Sequence, residues 1–461
     1  MTFMLTRLST LKVLALLGVA SISLPAQAVN VSTDGLGQVL IYPYYTVRGG
    51  HDSFVSVVNR TDQAKVVQVR LRESRNGREV HAVKVFLGAH DQWTAGITAT
   101  DDGAKLFTGD QSCTSPAIPA GGVPLSNARF ASTTVTPGLV QEGGDGAGRE
   151  LDRTREGYIE VIELGVLSHP ATLATLDLSA CSQVLLSADM GAQAGNKALS
   201  APSGGLLGSG TLINVAGGMQ YSYRPVVLDA FANVNLWSVD GPDLRAATPK
   251  VSLVLDQGRS ISSTWPKGED AVSAVLTHAT LLNDFVRELA TDSGTDWVVT
   301  MPTKHYYVPV ATEGVRPPVQ PPFGVAFTQY GACDLVDTNK RILAVNREGK
   351  AEYVDGEGFP QPRPVVFPLL CWETTVMSFA DPGILGSLGE DGIDPSWENG
   401  WARYAFGKPY QKLTSLEGHV YRGLPVTGFM VHNFVNGDVN GLQSNYGGNF
   451  DHKYTTVIDL P

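Results

Sequence analysis

The sequence predicts a mainly β protein, an antiparallel immunoglobulin-like β-sandwich with one amphipathic helix and long Gly/Pro-rich loops. Three observations point there: segments that alternate apolar and polar residues, turn dipeptides between them, and 50 glycines with 27 prolines in 461 residues. Gly and Pro without a fixed period exclude collagen and favour short strands joined by many turns. With 43% hydrophobic and 17% charged residues, the chain can bury a sizeable core and is not disordered by composition.

The clearest strands lie between residues 38 and 98. Val67, Val69 and Leu71 alternate with Gln68, Arg70 and Arg72, a period of two that places the first set on a core face and the second in water. A partner strand, with His81, Val83, Val85 and Leu87 on one face, follows Asn76-Gly77, a dipeptide with ready access to positive φ and so a strong hairpin signal. Phe54 to Val58 supplies a preceding strand. The Cys-Trp-Cys hallmark of antibody domains is missing, so the immunoglobulin likeness is architectural.

Residues 100–150 lose the alternation and read as an inserted surface loop ending in Gly143-Gly144-Asp145-Gly146-Ala147-Gly148. Strand character returns at Tyr158–Leu164, Gly210–Val215 and Met219–Val227, the last two joined by Gly217-Gly218. A helix is expected over 271–289. Asp270 would be its N-cap, and Val272, Val275, Leu276, Ala279, Leu282, Val286 and Leu289 would form its apolar stripe. Trp297–Val308 should be an edge or bulged strand because it contains Pro302. Prolines 317, 318, 321, 322, 360, 362, 364 and 368 mark extended connections. Candidate strands at Cys371–Phe379, Trp401–Phe406 and Leu424–Val435 then close the chain. These readings divide it into a leader (1–28), an N-terminal β-sandwich region (29–315) and a C-terminal β region (316–461).

Compartment is the strongest sequence signal. Arg7 and Lys12 precede an apolar stretch from Val13 to Leu24 and the small-residue site Ala26-Gln27-Ala28, the pattern of a cleaved secretory signal. The stretch is shorter than the roughly 20 residues a spanning helix needs, and no later run reaches that length. The expected location is the periplasm, the extracellular space or the cell surface, with no integral span after cleavage. Cys113, Cys181, Cys333 and Cys371 form an even set suited to an oxidising compartment. Of the three pairings, Cys113 with Cys181 and Cys333 with Cys371 is favoured, because each pair lies on one side of the segment 270–310. Each bond would restrict the unfolded chain by roughly 3–4 kcal/mol. No CxxC spacing points to a metal.

Net charge is −11, and loss of Arg7 and Lys12 would make the mature chain more acidic, which argues against nucleic acid as a partner. The chain carries no GxSxG, HExxH or phosphate-loop pattern. Among nine scattered histidines, His305, beside Lys304 and two tyrosines, and His452, between Asp451 and Lys453, form the candidate polar site. His278 borders the apolar stripe and reads as a structural histidine. Asn436, Asp438, Asn440 and Gly441 match the start of a calcium loop, but Gly447 stands where a bidentate Glu should be. Calcium is therefore only a weak cofactor candidate, as it is at the acidic segment Glu390, Asp391, Asp394 and Glu398.

Four strings carry a resemblance: Leu40-Ile41-Tyr42-Pro43-Tyr44-Tyr45-Thr46, TDWVVTMPTKHYYV from Thr295, LCWETTVMSF from Leu370 and SNYGGNFDHK from Ser444. Together they resemble a group of exported proteins of Gram-negative bacteria with no established reaction. The resemblance implies one architecture for nearly the whole mature chain and no catalytic residues.

The expected function is that of an exported non-catalytic β-sandwich protein with a structural or binding role, its partner an envelope or extracellular protein or a glycan. The alternative is a carbohydrate-active hydrolase using carboxylates separated in sequence, with tryptophans such as Trp401 stacking on sugar. A cleft holding two convergent carboxylates would favour that alternative. An outer-membrane barrel ranks last, since the expected helix has no room in it.

Overall fold

The structure is a computed structural model that describes residues 27–131, 145–167, 199–237, 241–310, 318–328, 330–335, 342–354, 356–357, 369–388 and 390–461. The protein is mainly β, and its sheets are almost wholly antiparallel. All but the last two residues of the expected leader, together with Cys181, lie outside the described residues.

After the two-residue edge strand Asn30–Val31, the first main strands in chain order are β1 (Val39–Thr46), β2 (Asp52–Asn59), β3 (Lys65–Glu73), β4 (Glu79–Leu87), β5 (Gln92–Ala99) and β6 (Ala104–Phe107). After them come β7 (Glu156–Leu167), β8 (Leu206–Asn214), β9 (Met219–Tyr223) and β10 (Val226–Asp229). One sheet has the order β10-β1-β7-β3-β4, and a second has the order β9-β8-β2-β5-β6. Their facing sides share one apolar core that includes Val67, Val69 and Leu71 of β3, Val57 of β2, Trp93 of β5 and Tyr221 of β9. The hairpins foreseen at Asn76-Gly77 and Gly217-Gly218 both form, and Gly77 and Gly218 take φ of 68° and 63°. Pro43, inside β1, has no N–H to give. It falls where the register of β1 against β7 shifts by a residue, between the pairs Gly157↔Tyr45 and Ile159↔Tyr42.

Gln68, Arg70 and Arg72 are not in water as the alternation suggested; all three are buried. The face they share with Val66 is covered by a second core containing Ile162, Trp297, Met377 and Tyr404, so the first sheet is sandwiched on both sides. Burying charge there requires partners. Arg72 Nε donates to Glu160 Oε2 at 2.9 Å on this face; on the opposite face, that of Val67, Lys65 Nζ donates to Glu163 Oε1 at 2.7 Å with both side chains fully buried. The segment 100–150 is also not simply a surface loop. It supplies β6, and Cys113–Ser115 adds a short strand beside β4.

The expected helix 271–289 is corrected. α1 spans only Gly268–Leu276, with Lys267 at its N-cap and Asp270 inside the first turn, where its charge suits the helix dipole. β11 (Thr280–Val286) follows. Leu281 and Phe285 are four residues apart, a spacing that serves a helix face and a strand face equally, and both point into the core. The β-branched Thr277 and Thr280 and strand partners on either side decide for extended chain. Leu289, the last residue of the expected stripe, is 89% exposed.

β12 (Ser293–Thr300) ends before Pro302, so the strand expected over Trp297–Val308 is also shortened, and a four-residue helix, α2 (Lys304–Tyr307), takes its second half. The remaining main strands are β13 (Ile342–Asn346), β14 (Thr374–Ser378), β15 (Asn399–Ala405), β16 (Thr427–Val439) and β17 (Leu442–Asp451). β12 lies between β14 and β16, with β17 at the outer edge, while β11 lies between β15 and the short strand Lys453–Thr455. Strands from both sides of residue 316 share both of these sheets, Thr277–His278 also pairs with Leu424–Pro425, and the division expected there does not separate them. Among the described residues, no helix is long and apolar enough to cross a membrane.

Candidate functional site

The candidate residues fall into separate environments. Lys304 and His305 are neighbours on α2, positioned by the turn that Pro302 imposes after β12. Lys304 is buried, and its Nζ donates to the carbonyls of Ala332 at 2.7 Å and Leu370 at 2.8 Å. It thereby braces the segments joined by the Cys333–Cys371 disulfide, one of the two expected bonds. Cys113 is buried on its short strand, and its expected partner, Cys181, lies outside the described residues.

His305 turns the other way. Its Nδ1 sits 2.6 Å from Glu373 Oε1, which also accepts from the Tyr158 hydroxyl at 2.8 Å. A carboxylate orienting an imidazole is half of a base-and-nucleophile arrangement. The third group here is a phenol that burial, and then the Glu373 charge, hold well above its ordinary pKa. Gly77 closes the far side of the Glu373 carboxylate, so the cluster lies in the interior, beneath the β3–β4 turn. The same turn is fixed by Glu73, whose carboxylate accepts from the backbone N–H groups of Arg75, Asn76 and Arg78 and pairs with Arg153 at 2.9 Å.

His452 lies apart from both, against β11 and β12. Its Nδ1 faces the Asn283 amide nitrogen at 3.1 Å, and its Nε2 faces the Val298 carbonyl at 3.0 Å. Neutral imidazole with the proton on Nε2 satisfies both contacts. Burial pushes its pKa down to about 3, which keeps the ring uncharged. His278 is not on a helix but stacks on Tyr454, with ring centroids 4.1 Å apart.

The neighbours of His452 point outward, as alternation along an extended chain requires. Asp451 and Lys453 line an open groove of about 460 Å³ together with Arg224, Asn283, Asp284 and Phe450. Arg224 follows β9, Asp284 lies on β11, and Asp451 ends β17, so the groove forms where the edges of two sheets meet a third. Asp284, Asp451, Arg224 and Lys453 are exposed, and among the described residues none of the four has a side-chain ion-pair partner. Sequence reasoning named Asp451 and Lys453 only as flanks of His452, and it placed Asp284 on the expected helix. The alternation of Leu281, Asn283 and Phe285 against Leu282 and Asp284 was the available signal.

Asn440 and Gly441, with φ of 57° and 81°, make the tight turn between β16 and β17, so the segment with Asn436 and Asp438 is a β-hairpin end. Glu390 and Asp391 belong to the short strand Glu390–Ile393, and Asp394 pairs with Arg287. Among the described residues no group of three or more His, Cys, Asp or Glu side chains is placed to hold a metal ion.

Comparison of the chain with known protein families, with characterised proteins and with solved structures finds no significant match.

Proposed function

We propose that this chain is an exported, non-catalytic protein of immunoglobulin-like β-sandwich architecture that acts as a binding or structural component of the periplasm or cell surface. The observation that carries this reading is a division of labour among polar groups. Lys304 and His452, two of the candidate reactive groups, spend their hydrogen bonds on the protein's own backbone and side chains, and His305 spends one on buried Glu373. The unspent charges face an open groove. The leader-like N-terminal pattern and the Cys333–Cys371 bond suit an oxidising compartment.

The hydrolase reading has one observation in its favour: Asp284 and Asp451 share the groove. Both are exposed, whereas a general acid needs an enclosed, apolar setting to keep its proton at neutral pH. Fractionation of a Gram-negative host expressing the full chain, followed by incubation of the purified protein with polysaccharides and peptides, tests the proposal. The expected result is recovery from the envelope or medium with no turnover. Retention in the cytoplasm, or turnover that D284N or D451N abolishes, overturns it.

A further inference from the structure

We infer that the groove lined by Arg224, Asp284, Asp451 and Lys453 is a binding site for a neutral oligosaccharide. This rests on the binding role proposed above and names its ligand class.

The argument begins with charge. Two carboxylates and two cations line one groove and are exposed without ion-pair partners of their own. Their formal charges cancel, and the whole chain stands at −11, so a polyanion gains nothing here and a polycation meets Arg224 and Lys453. What the four groups offer is a dense set of strong acceptors and donors, suited to a ligand that is uncharged and rich in hydroxyls.

The second element is an apolar surface beside them. The Phe450 side chain is 53% exposed, and its ring leans on that of His432, centroids 5.4 Å apart. Across β11, Trp401 is in register with Asp284, so the two side chains leave the sheet on the same face, and Trp401 is 40% exposed. Lys453 pairs with Leu282, two residues from Asp284, and joins that face too. Flat aromatic faces next to paired polar groups match a sugar ring, which has an apolar C–H face and an equatorial rim of hydroxyls.

The third element is rigidity. Asn283 reaches the Phe450 carbonyl at 3.5 Å and the His452 ring at 3.1 Å, and the Asp284 carbonyl accepts from the Trp297 indole at 3.1 Å. The groove walls are thereby tied to buried groups, so little ordering remains to oppose binding. A peptide adding as a strand is the rival occupant, since β9 and β17 are sheet edges. Those edges already meet one another: Asn445 donates to the Gly217 carbonyl at 2.9 Å, and Gly447 packs under the Tyr221 ring. The observations therefore favour the sugar.

Calorimetric titration of the full chain with cellohexaose, chitohexaose, xylohexaose and maltohexaose is the test, with a hexagalacturonate and a capped extended hexapeptide as comparators. At least one neutral hexasaccharide should saturate the protein. F450A and D284N should each weaken it tenfold or more while leaving the circular dichroism spectrum and Tm unchanged. Silence from all four neutral sugars, indifference to both substitutions, or saturation only by the uronate or the peptide overturns the inference. Chromatography of the same mixtures separates it from the broader reading. Cleavage of a bound sugar upholds the saccharide site and defeats the non-catalytic role. Failure of sugar binding in a protein still recovered from the envelope defeats the saccharide site alone.

Discussion

The carboxylate of Glu373 occupies the space that a Cβ on Gly77 would fill. Gly77 is thus required twice, once for its φ of 68° in the β3–β4 turn and once for the close approach of the carboxylate that holds Tyr158 and His305. G77A should cost about 2–4 kcal/mol, combining left-handed strain with displacement of a buried charge. Urea unfolding reads this directly, and a loss below about 0.5 kcal/mol would show that the carboxylate has room to move.

Asp296, fully buried on β12, has its pKa raised to about 6 by burial, against the hydrogen bonds its carboxyl accepts. Raised above the unfolded value of 3.8, the folded protein binds the proton more tightly across that interval. The resulting stabilisation is complete below pH 4 and is lost as pH rises through 6, a change of about 3 kcal/mol. D296N should flatten this limb. Unfolding free energies of both proteins at pH 4, 6 and 8 check it; parallel curves refute it.

Buried histidines slope the other way. Burial lowers the pKa of His452 to about 3 and that of His278 to about 4. Their contribution is present above the unfolded value of about 6.5 and is lost as pH falls through about 4 for His278 and about 3 for His452. H452Q retains a donor for the Val298 carbonyl and an acceptor for Asn283, and it should lessen acid sensitivity between pH 6.5 and 4. Carbon–proton correlation spectra should show the His452 ring neutral at pH 5, and a protonated ring there would contradict the buried hydrogen-bonded geometry.

The Cys333–Cys371 bond spans 38 residues of sequence, and the chain-entropy estimate for that loop is roughly 3–4 kcal/mol. The double variant C333S/C371S should lose about that much. K304M should lose a further part by stripping the Ala332 and Leu370 carbonyls of their donor. Thermal unfolding with and without reductant separates the two effects. A wild-type Tm insensitive to reductant under denaturing conditions would refute the bond's contribution.

What the sequence revealed depended on how local the cause was. The β3–β4 hairpin was legible because alternation and Asn76-Gly77 act within a few residues. The burial of Arg72 was not, because the layer that covers it comes from hundreds of residues away. At 280–286 the expected stripe took Leu282 and Val286, which are only half-buried, whereas Leu281 and Phe285, at the same spacing of four, face the core, and only the neighbouring strands decide between the two pairs. The groove was legible only in part. Asp451-His452-Lys453 displayed its inside-outside rhythm, but nothing near Arg224 announces that Asp284 will lie across from it.

The placement of β12 between β14 and β16 also dictates the order of assembly. Its flanking ribbons, Thr374–Ser378 and Thr427–Val439, are made long after it is. Until Thr427–Val439 is made, Trp297 and its neighbours have no permanent cover, and closing such distant pairings is slow. A chain cut anywhere between β12 and Thr427–Val439 should therefore be a sticky, incomplete product rather than a smaller working one.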